Sequence, residues 1–134
     1  MGRRHQAREL ALKVLFQLES EPATDPATAL GYQADDDGTP ADVLAFADDL
    51  VRGVIAHREE LDQAIEGASE NWRLEQMAKV DRVILRIATY EISISRQVPV
   101  KAAINESIEL AKTFSGDEAG RFVNGILGRL AGAR

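Results

Sequence analysis

The residues best suited to chemistry stand near the start of the chain, where basic side chains precede an aromatic ring. Arg3, Arg4 and Arg8 supply three guanidinium groups, His5 adds an imidazole, and Phe16 follows them. Cations bind phosphates and an exposed ring stacks on an unpaired base, which are the two contacts that single-stranded RNA requires. The pattern therefore favours an RNA-binding surface.

A first helix must position these residues. Apolar side chains recur at helical spacing over about residues 4–19 and define its buried face. At about 100° per residue, Phe16 points almost opposite that face, near His5 and Leu12. Packing of Phe16 and Leu12 under a second layer of helices is the commoner explanation of such a pair. The sequence leaves both interpretations of Phe16 open.

The charge of the chain is unevenly distributed. Its net value is −6, from 16 Lys+Arg and 22 Asp+Glu, which argues against a simple nucleic-acid binder. Residues 1–18, however, hold four cations and one anion, residues 19–50 hold nine anions and no cation, and residues 76–134 hold nine cations and six anions. If the two basic ends meet in the fold, they form one positive face on an acidic protein. Uneven scatter over a solvated surface is the alternative.

Catalytic and metal-binding patterns are missing. The chain has no Cys, and its two histidines, His5 and His57, are far apart. The acidic run at 35–38 would need a carboxylate where Leu44 stands to form a calcium loop, so we interpret it as a solvated turn. Glu91 falls on an apolar helix face, where a Lys, an Arg or a helix N-terminus is the expected partner. We predict a protein that is not an enzyme and needs no cofactor or metal.

Length and composition indicate one globular domain over residues 1–134, with hydrophobic residues at 45% and aromatic residues at 5%. No apolar run approaches the roughly 20 residues that span a bilayer, and the N-terminus does not resemble a signal peptide. We therefore expect a soluble cytoplasmic protein without membrane association.

The periodicity is helical almost throughout, which predicts an all-α, compact bundle of about seven helices. Asp25-Pro26 and Thr39-Pro40 each combine an N-cap with proline at the first helical position, and residues 34–39 are expected to form a loop. Segment 78–95 is apolar on two sides, which is typical of a central helix.

Two helices are expected after this segment, and the first of them begins at Pro99. Ser115 and Glu118 have the spacing of a capping box for the last helix. Gly125 and Gly128 lower the helix propensity there, so we expect them to permit the close approach of another backbone.

Three stretches resemble the NusB family of bacterial transcription antitermination factors. They are residues 3–18 (RRHQARELALKVLFQL), 79–91 (KVDRVILRIATYE) and 98–127 (VPVKAAINESIELAKTFSGDEAGRFVNGIL). Their order and spacing are those of the family, whereas residues 20–75 match only in helix pattern and length. The resemblance implies two three-helix bundles that share a long first helix.

The resemblance also implies partners and a function. NusB-like proteins bind the boxA element of nascent RNA together with NusE, a small-subunit ribosomal protein that joins RNA polymerase. The complex suppresses premature termination, notably in ribosomal RNA operons. We therefore expect boxA-type RNA, NusE and the RNA polymerase antitermination complex as partners, while the apolar pattern leaves formation of a homodimer open.

Family RNA contacts, carried over by motif, fall at both ends of the chain. They are Arg3, Arg4, Arg8, Phe16, Arg86, Arg121 and Phe122, with Asn124 as a weaker candidate and His5 beside them on the first helix. The resemblance places Asp81 near the RNA and NusE side, with Glu118 beside it, as partner-binding or RNA-tuning residues. His5 and Gln6 replace arginines of many relatives, and Phe16 replaces a frequent Tyr. We therefore expect tight RNA binding only when NusE contributes.

Two other functions are compatible with the sequence. One is a NusB-like RNA-binding module that acts with a separate ribosomal RNA methyltransferase, since these 134 residues contain no Gly-rich strand–helix unit. The other is a helical scaffold that binds only protein. Salt dependence of RNA binding separates the scaffold from both RNA binders.

Overall fold

The computed structural model describes residues 2–35 and 38–132, and the regular structure in these ranges is helical, without a strand. The seven α-helices are α1 (Arg3–Ser20), α2 (Pro26–Asp35), α3 (Ala41–Ala56), α4 (Arg58–Ala68), α5 (Lys79–Tyr90), α6 (Val100–Ser115) and α7 (Asp117–Gly132). A 3₁₀ turn over Leu74–Gln76 precedes α5, and a π-helical turn over Glu91–Ser95 follows it. The predicted all-α class with about seven helices is confirmed. None of the described helices has the length and apolar character needed to cross a membrane.

The helices fall into two compact units that divide between Ala56 and His57. In the N-terminal unit, α1, α2 and α3 all contact one another. In the C-terminal unit, α6 and α7 form the most extensive pair, and α5 contacts α4, α6 and α7. That the chain acts as one domain, with a first helix common to both bundles, stays a prediction.

Helix α5 is the central helix of the C-terminal unit, as its two apolar sides predict. All residues from Val83 to Ile92 are buried, including the polar Arg86, Thr89 and Glu91. The α-helical hydrogen bonding ends at Tyr90, earlier than residue 95. The chain leaves the following π-helical turn at Arg96, which has a left-handed φ of 54°.

The two predicted N-caps have different outcomes. The Asp25 carboxylate accepts hydrogen bonds from the Thr28 N–H and hydroxyl, both at 3.0 Å, so this cap is confirmed. Thr39 does not cap α3, which begins at Ala41; its hydroxyl instead donates to the Ala34 carbonyl at 3.0 Å. The loop predicted at 34–39 is shorter than expected because α2 continues through Asp35. Residues 36 and 37 of the acidic run lie outside the described residues.

The junction of α6 and α7 corrects two further expectations. Gly116, with φ 98°, separates the helices, so Ser115 is the last residue of α6 and not the N-cap of α7. The close approach occurs at Gly120, where an added Cβ would lie 2.8 Å from Lys112 Cγ of α6. Gly128 has no atom within 4 Å of such a Cβ, and Gly125 meets only a side-chain nitrogen of Arg129 at 3.7 Å. No other backbone of the described residues therefore comes within 4 Å of an added Cβ at Gly125 or Gly128, contrary to the expectation.

Candidate nucleic-acid interface

The structure separates the two apolar residues that the sequence places opposite the buried face of α1. Leu12 is only 3% exposed and belongs to the core, whereas Phe16 remains 39% exposed. Leu12 therefore packs in the core, whereas the ring of Phe16 is accessible for stacking. Periodicity within one helix gives both residues a similar direction, so only the surrounding structure distinguishes them.

The first turn of α1 presents two exposed arginines to its neighbour α3. Arg3 Nη1 donates to Asp42 Oδ1 at 2.7 Å, and both side chains are exposed. The Arg4 guanidinium carbon lies 5.1 Å from the centroid of the Phe46 ring. An exposed ion pair contributes little, so Arg3 can exchange Asp42 for a phosphate at small cost.

Arg8 and His5 lie deeper than their sequence pattern suggests. Arg8 is 3% exposed, and its guanidinium carbon is 5.6 Å from the centroid of the Phe46 ring. The His5 side chain is largely buried, with Nε2 3.8 Å from Glu9 Oε2. The expectation that both present their charge at the surface is not met, because neighbouring side chains enclose them. Phe46 was missed by the sequence reasoning, although it is an aromatic residue outside the apolar stripe of α3.

Arg86 is likewise enclosed. Its side chain on α5 is 6% exposed, with Nε 2.8 Å from Asp62 Oδ1 and Nη2 3.3 Å from Asp62 Oδ2. This two-point pairing matches the planar guanidinium to the carboxylate of α4. The resemblance implies an RNA contact for Arg86, but its charge is already paired inside the C-terminal unit. No sequence pattern singles out Asp62 as the partner.

Arg121 and Asn124 lie at the surface of α7. Both are exposed and stand three positions apart, so they occupy neighbouring places on one face of the helix. Phe122 is half-buried and meets Trp72 edge to face, with ring centroids 5.9 Å apart and an interplanar angle of 81°. Helix α7 thus offers a cation and an amide on one face, and a separate aromatic surface where Phe122 meets Trp72.

A groove of about 500 Å³ adjoins these rings. Its lining consists of Trp72, Gln76, Met77, Ala78, Asp81, Ser115, Glu118, Ala119 and Phe122. It brings together three residues that the sequence nominates: Asp81, Glu118 and Phe122. Trp72 was missed as a site residue; its exposure, 50%, is the tertiary feature that reveals it.

Asp81 is the perturbed acid of this groove. It is buried at the N-terminal end of α5, and burial raises the pKa of its carboxyl group above the ordinary value of 3.8. A hydrogen bond from the Ser115 side chain opposes that rise in pKa. Its Oδ1 atom makes no hydrogen bond within the described part of the chain. The carboxyl group therefore keeps one buried acceptor without a hydrogen bond, which adds to the cost of burying its charged form.

Comparison with known proteins decides the family. The profile of the NusB family matches residues 5–132. The chain belongs to the NusB family. Among curated NusB-family relatives, the transcription antitermination protein NusB of Symbiobacterium thermophilum is 48% identical over 132 residues, covering 93% of this chain and 86% of the relative.

Solved structures of the NusB family have the same fold. T. maritima NusB superposes with a TM-score of 0.89 at 33% identity, covering 98% of this chain and 92% of that one. A crystal structure of antitermination factors NusB and NusE in complex with double-stranded RNA superposes with a TM-score of 0.90, covering 100% and 99% of the two chains. At 24% identity, this second likeness establishes the fold alone.

Proposed function

We propose that this NusB-family protein is a transcription antitermination factor that binds boxA-type single-stranded RNA together with NusE. The bound pair would join RNA polymerase in the cytoplasm and suppress premature termination, notably in ribosomal RNA operons. The role is one of binding, without a catalytic step or cofactor. The observation that carries the proposal is the family match over residues 5–132. The exposed ring of Phe16, on a helix that begins with Arg3 and Arg4, supports it.

Direct RNA contacts are assigned to residues whose side chains reach the surface. Arg3 and Arg4 would bind phosphates, and the exposed face of Phe16 would stack on a base. Arg121 and Asn124 on α7 would add a cation and an amide. Stacking accepts any base, so sequence preference would come from the amide and from NusE.

The enclosed members of the predicted set have a different role in this proposal. Arg8, His5 and Arg86 are surrounded by other side chains. They would act by holding helices and neighbouring residues in place for RNA. Arg86 in particular joins α5 to α4 through Asp62.

Asp81, Glu118 and Phe122 form the partner side of the proposal. The described lining of their groove carries two carboxyl groups and no cationic side chain, so it opposes phosphate and favours a protein donor. These residues would thus bind NusE or tune RNA affinity.

The test measures binding of a labelled boxA oligonucleotide by fluorescence anisotropy, with and without NusE. We expect weak binding by the protein alone and tighter binding with NusE, and a scrambled oligonucleotide should bind less tightly. The Arg3→Ala/Arg4→Ala variant should lose RNA affinity yet still retain NusE in a pull-down. Loss of both interactions would show that the two surfaces are misplaced. A protein that binds NusE but no RNA would support the protein-only scaffold.

Binding of ribosomal RNA fragments with a separate methyltransferase, in preference to boxA with NusE, would support the methyltransferase-associated module. The same anisotropy assay makes this comparison when the two RNAs compete for one sample of protein. The proposed function requires that the protein bind boxA RNA more tightly than the ribosomal RNA fragments when NusE is present.

A further inference from the structure

One aromatic ring on α3 lies against two cations of α1. The guanidinium carbons of Arg4 and Arg8 are 5.1 and 5.6 Å from the centroid of the Phe46 ring. Both distances fall within the roughly 6 Å range of cation–π attraction. One turn earlier on α3, Asp42 pairs with Arg3. Helix α3 therefore contacts each of the three arginines at the start of α1, which we call the arginine arm (Arg3, Arg4 and Arg8).

We propose that Phe46 is a positioning residue for RNA, whose ring fixes the arginine arm so that Arg4 is presented to a phosphate. The proposal rests on the proposed function and adds to it a residue that does not itself touch RNA. An arginine side chain has many rotamers, and ordering it on binding weakens affinity. A guanidinium that already rests on a ring has less freedom to lose.

The chemistry of the contact suits this role. A carboxylate such as Asp42 occupies the N–H groups of a guanidinium and cancels its charge, so it competes with phosphate. A ring attracts the cation through its π face, which leaves the charge in place and hydrogen-bond donors available. Arg4 is exposed while it lies on Phe46, so its donors remain open to solvent.

The position of Phe46 in α3 also argues for this role. The core of α3 consists of Val43, Ala47, Leu50, Val51, Gly53 and Val54. Phe46 lies beside that stripe and is only half-buried, so the core does not account for it. Arg8 is buried beside the same ring, which anchors the inner end of the arm.

The experiment compares Phe46→Leu and Phe46→Tyr for binding of a boxA oligonucleotide in the presence of NusE. Phe46→Leu removes the π face and should weaken RNA binding about two- to fivefold. Phe46→Tyr keeps an aromatic ring and should retain the RNA affinity of the unchanged protein. Tyr32→Leu is the matched control, because it removes an exposed ring from α2 of the same unit, and its affinity should equal that of the unchanged protein. RNA affinity of Phe46→Leu equal to the unchanged protein would overturn the proposal.

A double-mutant cycle with Arg4→Gln shows whether Phe46 acts through the arm. We expect the Phe46→Leu/Arg4→Gln variant to lose clearly less RNA affinity than the product of the two single-variant fold losses. Once Arg4 is replaced, Phe46 has no Arg4 guanidinium left to position. Fully multiplicative losses would overturn the proposal.

If Phe46→Leu does not fold, a trifluorinated phenylalanine at position 46 preserves the shape of the ring and weakens its π face. The same weakening of RNA binding is then expected, and unchanged affinity would overturn the positioning role. Failure of the proposed function looks different: the unchanged protein itself would not bind boxA with NusE. When Arg4→Gln weakens binding but Phe46→Leu does not, only the positioning role is wrong.

Discussion

Phe16, with its exposed ring, is the residue on which the proposed RNA binding depends most directly. We expect Phe16→Ala to weaken binding of a boxA oligonucleotide by about 1–3 kcal/mol, because one stacking contact is lost. The melting temperature should change little, since the ring is 39% exposed. Anisotropy titration and thermal unfolding monitored by circular dichroism measure the two effects.

The control for this prediction is Phe16→Tyr, which retains the ring and should retain RNA affinity. A large fall in melting temperature for Phe16→Ala, with RNA binding intact, would mean that the ring packs in the core.

Arg86 is a residue whose substitution should affect stability. We expect Arg86→Ala to lower the free energy of unfolding by about 1–3 kcal/mol, because Asp62 then loses both guanidinium donors in a mostly buried site. Urea unfolding measures this loss. Arg58→Ala is the control: Arg58 Nε lies 3.8 Å from the same Asp62 but is exposed, so its removal should cost less than about 0.5 kcal/mol. Equal losses for the two variants would contradict the assignment.

The buried carboxyl group of Asp81 should make stability depend on pH. Because burial raises its pKa in the folded state, the group favours folding below its ordinary pKa of 3.8 and loses that contribution as pH rises through the folded value. Asp81→Asn should therefore gain stability relative to the unchanged protein between about pH 4 and pH 7. Urea unfolding at several pH values measures the difference.

The hydrogen bond from Ser115 supplies the control for this titration. Ser115→Ala removes a donor that favours the charged carboxylate, so the pKa of Asp81 should rise further. The variant should then lose more stability at neutral pH than at acid pH. A pH-independent difference between Asp81→Asn and the unchanged protein would contradict the burial of the charge.

At the scale of elements, the contact of α6 with α7 depends on one glycine. Gly120→Ala should lower the free energy of unfolding by about 1–3 kcal/mol, because its Cβ would meet Lys112 Cγ at 2.8 Å and either the Lys112 side chain or the helix backbone must shift. Gly128→Ala is the matched control within α7. It meets nothing within 4 Å and should gain about 0.5–1 kcal/mol from helix propensity. Chemical denaturation measures the change in the free energy of unfolding for both variants. A change of the same sign in Gly120→Ala and Gly128→Ala would contradict the packing at Gly120.

At the scale of the whole molecule, a net charge of −6 must be reconciled with RNA binding. Local cations decide the interaction because charges farther than about 10 Å from a phosphate are screened at ordinary ionic strength. With three or four phosphate contacts, log affinity should fall against log salt with a slope of about −2 to −3. Titrations at several salt concentrations measure it.

The Arg3→Ala/Arg4→Ala variant should make that slope shallower by about 1.4, since two phosphate contacts of about 0.7 each are lost. Arg52→Ala is the control and should leave the slope unchanged, because Arg52 is exposed on α3 and paired with Asp48. RNA affinity without any salt dependence would remove the phosphate contacts from the mechanism.

The sequence alone determined the helices, and with them the fold class. Apolar periodicity, the Asp25 cap and the breaks near Pro99 and Gly116 act within a few residues along the chain, so they can be read without tertiary structure. The central position of α5 was also predictable, because a helix that is apolar on two sides must be covered on both. The basic residues at the start of α1 and the ring of Phe16 could also be identified from the residues themselves. The family resemblance supplied the other proposed site residues, and the family itself is confirmed.

Only the tertiary structure decided which nominated residues reach the surface. Leu12 and Phe16 share a direction on α1, yet one is buried and the other exposed. Arg86 is enclosed by Asp62 of another helix, and Arg8 by the ring of Phe46. The physical reason is that burial and ion pairing depend on side chains distant in sequence, whereas helical periodicity records only the direction in which each residue points.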